Sequence, residues 1–290
     1  MKKLAVILAI AALGVATLVG CGTKDDADTS KTGSTTGGEI QVISREDGSG
    51  TRGAFIELFG VEEKDADGKK VDKTTEEATI VNNTEAVLTG VAGNKDAIGY
   101  VSLGSLKDTV KALKINGVDA TVANIKDGSY EISRPFNIAT KGTPSEVTQD
   151  FINFILSKDG QDIIEKNGYI KTDDSAKEFT SNKASGKILI AGSSSVSPVM
   201  EKLIEAYEKV NTAATLDLNT NDSTTGIQAA IDGTADIAMS SRELKDSESE
   251  LKATQIALDG IVIVVNKDNA TSDLTKDVVK EIFTGAKTEW

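Results

Sequence analysis

The chain has 290 residues, a formal net charge of −13, no histidine and one cysteine. The negative charge argues against nucleic acid and against simple adhesion to acidic lipids. The missing histidine removes the usual catalytic base and the commonest metal ligand, and a single cysteine excludes disulfides within the chain and multi-cysteine zinc sites. We therefore expect no cofactor and no metal.

The first 20 residues have the pattern of a signal peptide. Lys2 and Lys3 precede an apolar run over residues 4–19, and Cys21 follows directly after a glycine. This pattern resembles the lipobox of bacterial lipoproteins, so we predict cleavage before Cys21 and acylation of its thiol. The chain would then be anchored at the extracellular face of the cell membrane. An uncleaved membrane span, for which the run is short, and a plain secretory signal are the alternatives.

Residues 21–38 are mostly polar and lack apolar periodicity, which predicts a flexible tether. From residue 39 onward, strand-like and helix-like segments alternate, and this order predicts an α/β fold. One example is the apolar strand pattern at 97–101. Another is a helical pattern at 145–164, for which we predict a break near Gly160.

The most informative motif runs from Ser44 to Gly53, between an apolar strand pattern and a helical one. Its glycines allow a sharp turn and a close approach to a ligand. The free N–H groups and the dipole at a helix start favour an anion. Arg45 adds a planar fork of donors, and Ser49 and Thr51 add hydroxyls. A solvated turn is the plain alternative, but the arginine and the strand-to-helix context favour an anion site.

Three further hydroxyl-rich loops follow predicted strands, at residues 192–198, 221–226 and 240–242. The first has three consecutive serines, and a helix cap would need only one. Ligands in open α/β sheets bind beyond the carboxyl ends of the strands. We therefore predict that the four loops converge on one small tetrahedral anion.

Six motifs carry a family resemblance: SREDGSGTRGAF, GSSSVSPVM, NDSTTG, MSSREL, ALDGIVIVVN and FTGAKTEW. They resemble the phosphate-binding lipoproteins of bacterial phosphate ABC transporters, especially those of Gram-positive bacteria. The resemblance covers about residues 39–170 and 187–290. It implies the type II periplasmic-binding-protein fold, in which two α/β lobes close on the ligand about a hinge. It also implies inorganic phosphate and a membrane permease as partners; we expect a monomer and no enzymatic activity.

The order of the motifs is exchanged relative to the commoner arrangement, in which GSSSV opens the mature chain. The resemblance therefore implies a circular permutation, which proteins tolerate where termini lie close together at the surface. It predicts a lobe A from residues 39–130 and 267–290 and a lobe B from residues 131–266. A truncated tandem array or a mis-assembled gene is the alternative.

The resemblance also assigns site residues, motif by motif. Phosphate would be bound from lobe B by Ser194, Ser195, Ser223 and Ser241, and from lobe A by Arg45, Ser49, Gly50 and Thr51. Asp47 would hold Arg45 in place or accept a ligand proton. In well-known relatives an aspartate stands where Ser241 stands here, accepts the proton of hydrogen phosphate and repels sulfate. In this chain Glu46, Asp47 or Asp222 would have to take that role.

Three other functions stay open at this stage. The first is a binding protein for another tetrahedral oxyanion such as sulfate or molybdate. The second is a phosphoester-processing enzyme, which the missing histidine and the absence of an obvious metal cluster in the sequence disfavour. The third is an adhesin or sensor that keeps the fold. The carboxylates at 65–67 and 173–174 lie outside the motifs, and we interpret them as solvated loop charges.

Overall fold

The computed structural model describes residues 37–290. The predicted signal peptide, Cys21 and nearly all of the predicted tether lie outside this range. No helix within the described range combines the length and the apolar character that crossing a bilayer requires.

Fourteen strands and eight α-helices make up the described part of the chain. The strands are β1 Gln41–Arg45, β2 Glu62–Lys64, β3 Lys70–Asp72, β4 Thr79–Val81, β5 Ala97–Ser102, β6 Val110–Ala112, β7 Lys114–Ile115, β8 Ser133–Lys141, β9 Ile170–Lys171, β10 Gly186–Ser193, β11 Ala214–Asn221, β12 Ile237–Ser240, β13 Leu251–Asn266 and β14 Asp273–Leu274. The helices are α1 Gly50–Leu58, α2 Thr84–Gly93, α3 Val122–Lys126, α4 Glu146–Leu156, α5 Lys158–Lys166, α6 Ser197–Val210, α7 Ser223–Ile231 and α8 Lys276–Phe283.

The main sheet has the strand order β11-β10-β12-β8-β13-β5-β1-β4. At one end β10 runs parallel to β11 and β12, and at the other end β1 runs parallel to β4 and β5. Between these groups, β8 and β13 are antiparallel to each other and to their outer neighbours. The 16-residue β13 pairs with β8 along its first part and with β5 along its second, so one strand links both ends of the sheet.

Two main hydrophobic cores lie on either side of this link. Half A, residues 37–132 and 261–290, contains a core in which the ring of Phe55 stacks on Tyr100 with centroids 4.0 Å apart and also contacts Phe283. Half B, residues 133–260, contains a core with the rings of Phe151 and Tyr207. Stacked and tilted rings bury large apolar areas, so each half has a hydrophobic core of its own.

The structure moves one predicted boundary. The family resemblance predicts the end of lobe B at residue 266, but Ile261, Ile263 and Val265 pack into the core of half A. The reason is that β13 continues unbroken through both halves, and its apolar character gives no local signal where the neighbouring strand changes. The crossing therefore lies near Gly260.

The break in the predicted helix 145–164 lies at Ser157 and not at Gly160. The Ser157 hydroxyl donates to the carbonyl of Phe154 at 2.6 Å and accepts from the Gly160 amide, so it ends α4 and caps α5. Gly160 is needed for a different reason, because a Cβ there would lie 2.3 Å from the Phe154 carbonyl oxygen.

Candidate functional site

The first candidate loop leaves β1 at Arg45 and enters α1 at Gly50, as the sequence predicts. Ser49 caps this helix, and its hydroxyl accepts a hydrogen bond of 3.2 Å from the Arg52 amide. The bond satisfies one of the amides that a helix start leaves unpaired. Ser49 therefore has a structural role, while its hydroxyl proton stays available for a second acceptor.

Side chains of this loop meet the serine loop of half B directly. The hydroxyls of Thr51 and Ser195 are hydrogen-bonded at 2.7 Å, and the Arg45 guanidinium donates to the hydroxyl of Ser194 at 3.2 Å. All four side chains are buried. Residues that lie about 145 positions apart in the chain therefore form one polar contact between the halves.

Gly50 lies against two further serines of half B. A Cβ at this position would lie 2.4 Å from the hydroxyl of Ser223 and 2.7 Å from that of Ser241. The Ser223 hydroxyl accepts from the Ser241 amide, and the Ser241 hydroxyl accepts from that of Ser193 at 2.9 Å. Only a residue without a side chain allows this approach, which accounts for glycine at the start of α1.

Sheet topology explains why the serine loops converge. Ser193, Asn221 and Ser240 are the last residues of β10, β11 and β12, three neighbouring parallel strands. Their carboxyl ends therefore lie at the same edge of the sheet. The structure brings together all eight predicted site residues of the four loops, which the sequence could place only one loop at a time.

Thr84 belongs to the same group, although it lies outside the four loops predicted from the sequence. Its hydroxyl lies 3.2 Å from that of Ser195 and 3.3 Å from an Arg45 nitrogen that donates to it. It is the first residue of α2 and follows β4, the parallel neighbour of β1. The missed signal was a fifth strand–polar loop–helix unit, Ile80-Val81-Asn82-Asn83-Thr84. We call the buried hydroxyl groups of the site, together, the hydroxyl cluster; they are Thr51, Thr84, Ser193, Ser194, Ser195, Ser223 and Ser241.

The carboxylate that holds Arg45 is that of Glu46, so the structure does not support an orienting role for Asp47. Glu46 accepts two hydrogen bonds from the guanidinium, at 2.6 and 2.7 Å. The Asp47 side chain is 95% exposed and binds Arg52 instead. Local sequence does not distinguish these two acidic neighbours, because the choice depends on which side of the turn faces the buried interior.

The electrostatics of the hydroxyl cluster favour an anion. Helices α1, α2 and α7 each begin at or one residue before a member of the cluster, so three positive dipole ends point toward it. Among the hydrogen bonds of residues 37–290, none joins a carboxylate to a cluster hydroxyl. Asp222 caps α7 through the Thr225 amide, and Glu46 binds Arg45. Each hydroxyl both donates and accepts, so the cluster can bind oxyanion oxygens and also receive a ligand proton.

Tyr100 is hydrogen-bonded to the end of β1, where the Arg45 loop begins. Its hydroxyl accepts from the Arg45 amide at 3.1 Å and is hydrogen-bonded to the Ser44 hydroxyl at 2.8 Å. Burial raises the pKa of this phenol above its ordinary value, so it stays a neutral donor and acceptor. The end of β1 is therefore fixed by a side chain from its neighbour β5.

A cavity of about 500 Å³ opens beside the cluster, between α2 and α6. Its lining residues include Thr84 and Ser194 of the cluster, the apolar Leu88 and Pro198, and Lys107. Two residues of the cluster thus line this cavity.

The site lacks the components of the common hydrolytic mechanisms. The chain has no histidine to activate a serine. The described residues also contain no group of three or more histidine, cysteine or acidic side chains arranged to hold a metal ion. The geometry is that of a binding site built from hydroxyls, helix starts and one arginine.

Comparison with known proteins decides the family. A profile described as a PBP superfamily domain matches residues 24–159 and 177–290. The chain is also 55% identical over 292 residues to "Phosphate-binding protein PstS 2" of Streptococcus agalactiae, covering 100% of this chain and 97% of that protein. The chain belongs to the PBP superfamily and, within it, to the PstS family. This confirms the resemblance and the α/β binding-protein fold predicted from the motifs.

Two further relatives of this PstS-family chain come from Streptococcus pneumoniae. One is again named "Phosphate-binding protein PstS 2" and is 47% identical, covering 100% of this chain and 98% of its own length. The other is a crystal structure described as a phosphate-binding protein of a phosphate ABC transporter. It is 50% identical and covers 87% of this chain and 98% of its own, with a TM-score of 0.70.

Proposed function

We propose that this protein captures inorganic phosphate in the hydroxyl cluster and delivers it to the permease of an ABC transporter. The observation that carries the proposal is the meeting of Arg45 and Thr51 from half A with Ser194 and Ser195 from half B at hydrogen-bond distance. A tetrahedral anion between them would be bound from both sides. The names of the full-length streptococcal relatives support phosphate as that anion.

Binding exchanges hydroxyl–hydroxyl bonds for stronger ones. The cluster hydroxyls now bond mainly to one another and to backbone groups. A phosphate would accept from them, from the amides at the helix starts and from Arg45. Hydrogen bonds to a charged acceptor are about twice as strong as neutral ones. On this basis we assign the hydroxyl cluster to phosphate, together with Arg45, Ser49 and Gly50 beside it.

Closure about the two crossings would couple binding to transport. Within residues 37–290, the chain passes between the halves near Ser133 and Gly260, so a hinge there would let the halves part and close around a ligand. On the cleft side, the Thr224 amide donates to the Gly48 carbonyl across the same interface. The closed arrangement would present both halves to the permease.

The proposed location is the outer face of the cell membrane. The signal-peptide pattern of the first 20 residues and Cys21 support lipid anchoring there.

A permuted chain order also stays part of the proposal. The match to the S. agalactiae protein runs over the whole chain, so that relative has its motifs in the same order, as an inherited permutation predicts and a mis-assembled gene does not.

Calorimetry of the purified protein with phosphate, sulfate and molybdate tests the proposal. We expect phosphate to bind more tightly than either of the others. Arg45→Met should weaken phosphate binding by at least about tenfold, because one charge-assisted contact is lost. Tighter binding of sulfate or molybdate would assign another oxyanion, and release of phosphate from p-nitrophenyl phosphate would indicate an enzyme. No binding of any anion would leave the adhesin or sensor interpretation.

A further inference from the structure

A fully buried ion pair lies where the chain crosses between the halves. Arg134 in β8 and Asp259 in β13 face each other as register partners, and the guanidinium donates to the carboxylate at 3.1 and 3.3 Å. Their side chains are only 2% and 0% exposed. Among the hydrogen bonds of the described residues, none joins Arg134 or Asp259 to a hydroxyl group of the cluster, so we place the pair outside the proposed phosphate site itself.

Each member of the pair also reaches a different part of the molecule. The remaining amino group of Arg134 donates to the backbone carbonyl of Ser241 at 3.2 Å. The second carboxylate oxygen of Asp259 accepts from the hydroxyl of Ser102, at the end of β5 in half A, at 2.8 Å. A continuous chain of hydrogen bonds therefore runs from half A, through the crossing, to the loop that carries Ser241.

Stability alone does not account for such a pair. Removing two charges from water is costly, and well-packed apolar residues in the same place are often as stable or more so. Burial raises the pKa of Asp259 to about 6 and lowers that of Arg134, because it disfavours the charged form of each group. The planar guanidinium does, however, bind two acceptors in fixed directions, which an apolar side chain cannot do.

We propose that Arg134 and Asp259 are positioning residues for the phosphate site, holding the Ser241 loop in register with half A. The proposal rests on the proposed function for its ligand, and on geometry for its mechanism. Fixing the Ser241 carbonyl restrains the backbone of this residue, so its amide and hydroxyl stay against Ser223 and Gly50.

Arg134→Lys is the most informative variant. A lysine keeps the positive charge beside Asp259, but its single ammonium cannot bind the carboxylate and the Ser241 carbonyl in the same fixed directions. The double variant Arg134→Gln with Asp259→Asn removes both charges and leaves no unpaired ion, which protects the fold. Asp150→Asn is the matched control, because Asp150 is as buried as Arg134 and none of the groups that it accepts from belongs to the hydroxyl cluster.

The first measurement uses no ligand. Hydrogen exchange followed by NMR should show the Ser241 amide exchanging at least about fivefold faster in Arg134→Lys and in the double variant, because a supporting bond is lost. In Asp150→Asn this amide should keep the native rate. An unchanged rate in both Arg134 variants, or an equal rise in the control, would overturn the proposal.

The second measurement is phosphate affinity by calorimetry. Arg134→Lys should weaken binding by about fivefold, and the same change made in a Ser241→Ala background should add no further loss, because both act through one loop. Equal losses in the two backgrounds would refute positioning through Ser241. If the native protein does not bind phosphate, the proposed function fails, and the exchange experiment alone decides whether the pair holds the loop.

Discussion

Thr51 and Thr148 allow one prediction to be tested with a closely matched control. Both threonines are 1% exposed and lie in the first turns of helices. Each hydroxyl is hydrogen-bonded to a serine hydroxyl, Thr51 to Ser195 at 2.7 Å and Thr148 to Ser145 at 2.8 Å. Replacement by valine removes that hydroxyl and keeps nearly the same shape, so the two variants differ chiefly in whether the lost group faces the hydroxyl cluster.

The expected effect on binding follows from the chemistry of the lost contact. A hydrogen bond to a charged group contributes about 1.5–3 kcal/mol, so Thr51→Val should weaken phosphate binding by about 10- to 150-fold. Thr148→Val should leave the affinity unchanged. Each variant should lose about 1 kcal/mol of unfolding free energy, the usual net contribution of one neutral hydrogen bond.

Calorimetry with phosphate and urea denaturation measure the two quantities separately. The reasoning would be refuted if both variants bound phosphate equally well, since the Thr51 hydroxyl would then not contact the ligand. It would also be refuted if both lost affinity to the same degree, since the loss would then come from destabilisation of the fold.

Three further predictions concern the surroundings of the cluster. Gly50→Ala should abolish phosphate binding measurable by calorimetry, because the added Cβ would clash with two serine hydroxyls. Gly53→Ala in the same helix should bind phosphate normally, because the added Cβ would lie 3.7 Å from its nearest neighbouring atom, an ordinary contact distance. Normal binding by both variants would exclude a close approach of the halves at Gly50. Thr84→Val should weaken phosphate binding by about tenfold or more if its hydroxyl is a ligand contact, and native affinity would remove it from the site. The pKa of Asp259 is raised to about 6 in the folded protein, from about 3.9 in the unfolded chain. Protonation of Asp259 therefore stabilises the fold fully below about pH 3.9, and this contribution is lost as the pH rises to about 6. The unfolding free energy of the native protein minus that of Asp259→Asn, measured by urea denaturation, should therefore fall between about pH 4 and pH 6 and stay constant above. An increase of this quantity over the same interval would contradict the raised pKa.

The sequence by itself determined the elements and the candidate loops. The motif from Ser44 to Gly53 is a strand, a tight turn and a capped helix, each encoded by neighbouring residues. The serine loops at 192–198 and 221–226 are encoded in the same local way. Because alternating strands and helices leave few ways to layer an α/β fold, the convergence of these loops at strand ends was also predictable.

Only the tertiary structure decided how distant residues are paired. Thr84 joins the site because β4 lies beside β1, and Glu46 rather than Asp47 binds Arg45 because it faces the interior. Arg134 and Asp259 are 125 residues apart and meet through the register of two antiparallel strands. Such pairings depend on the packing of the whole molecule, since local propensity fixes where a strand begins and ends but not which strand lies next to it or which side chains face each other.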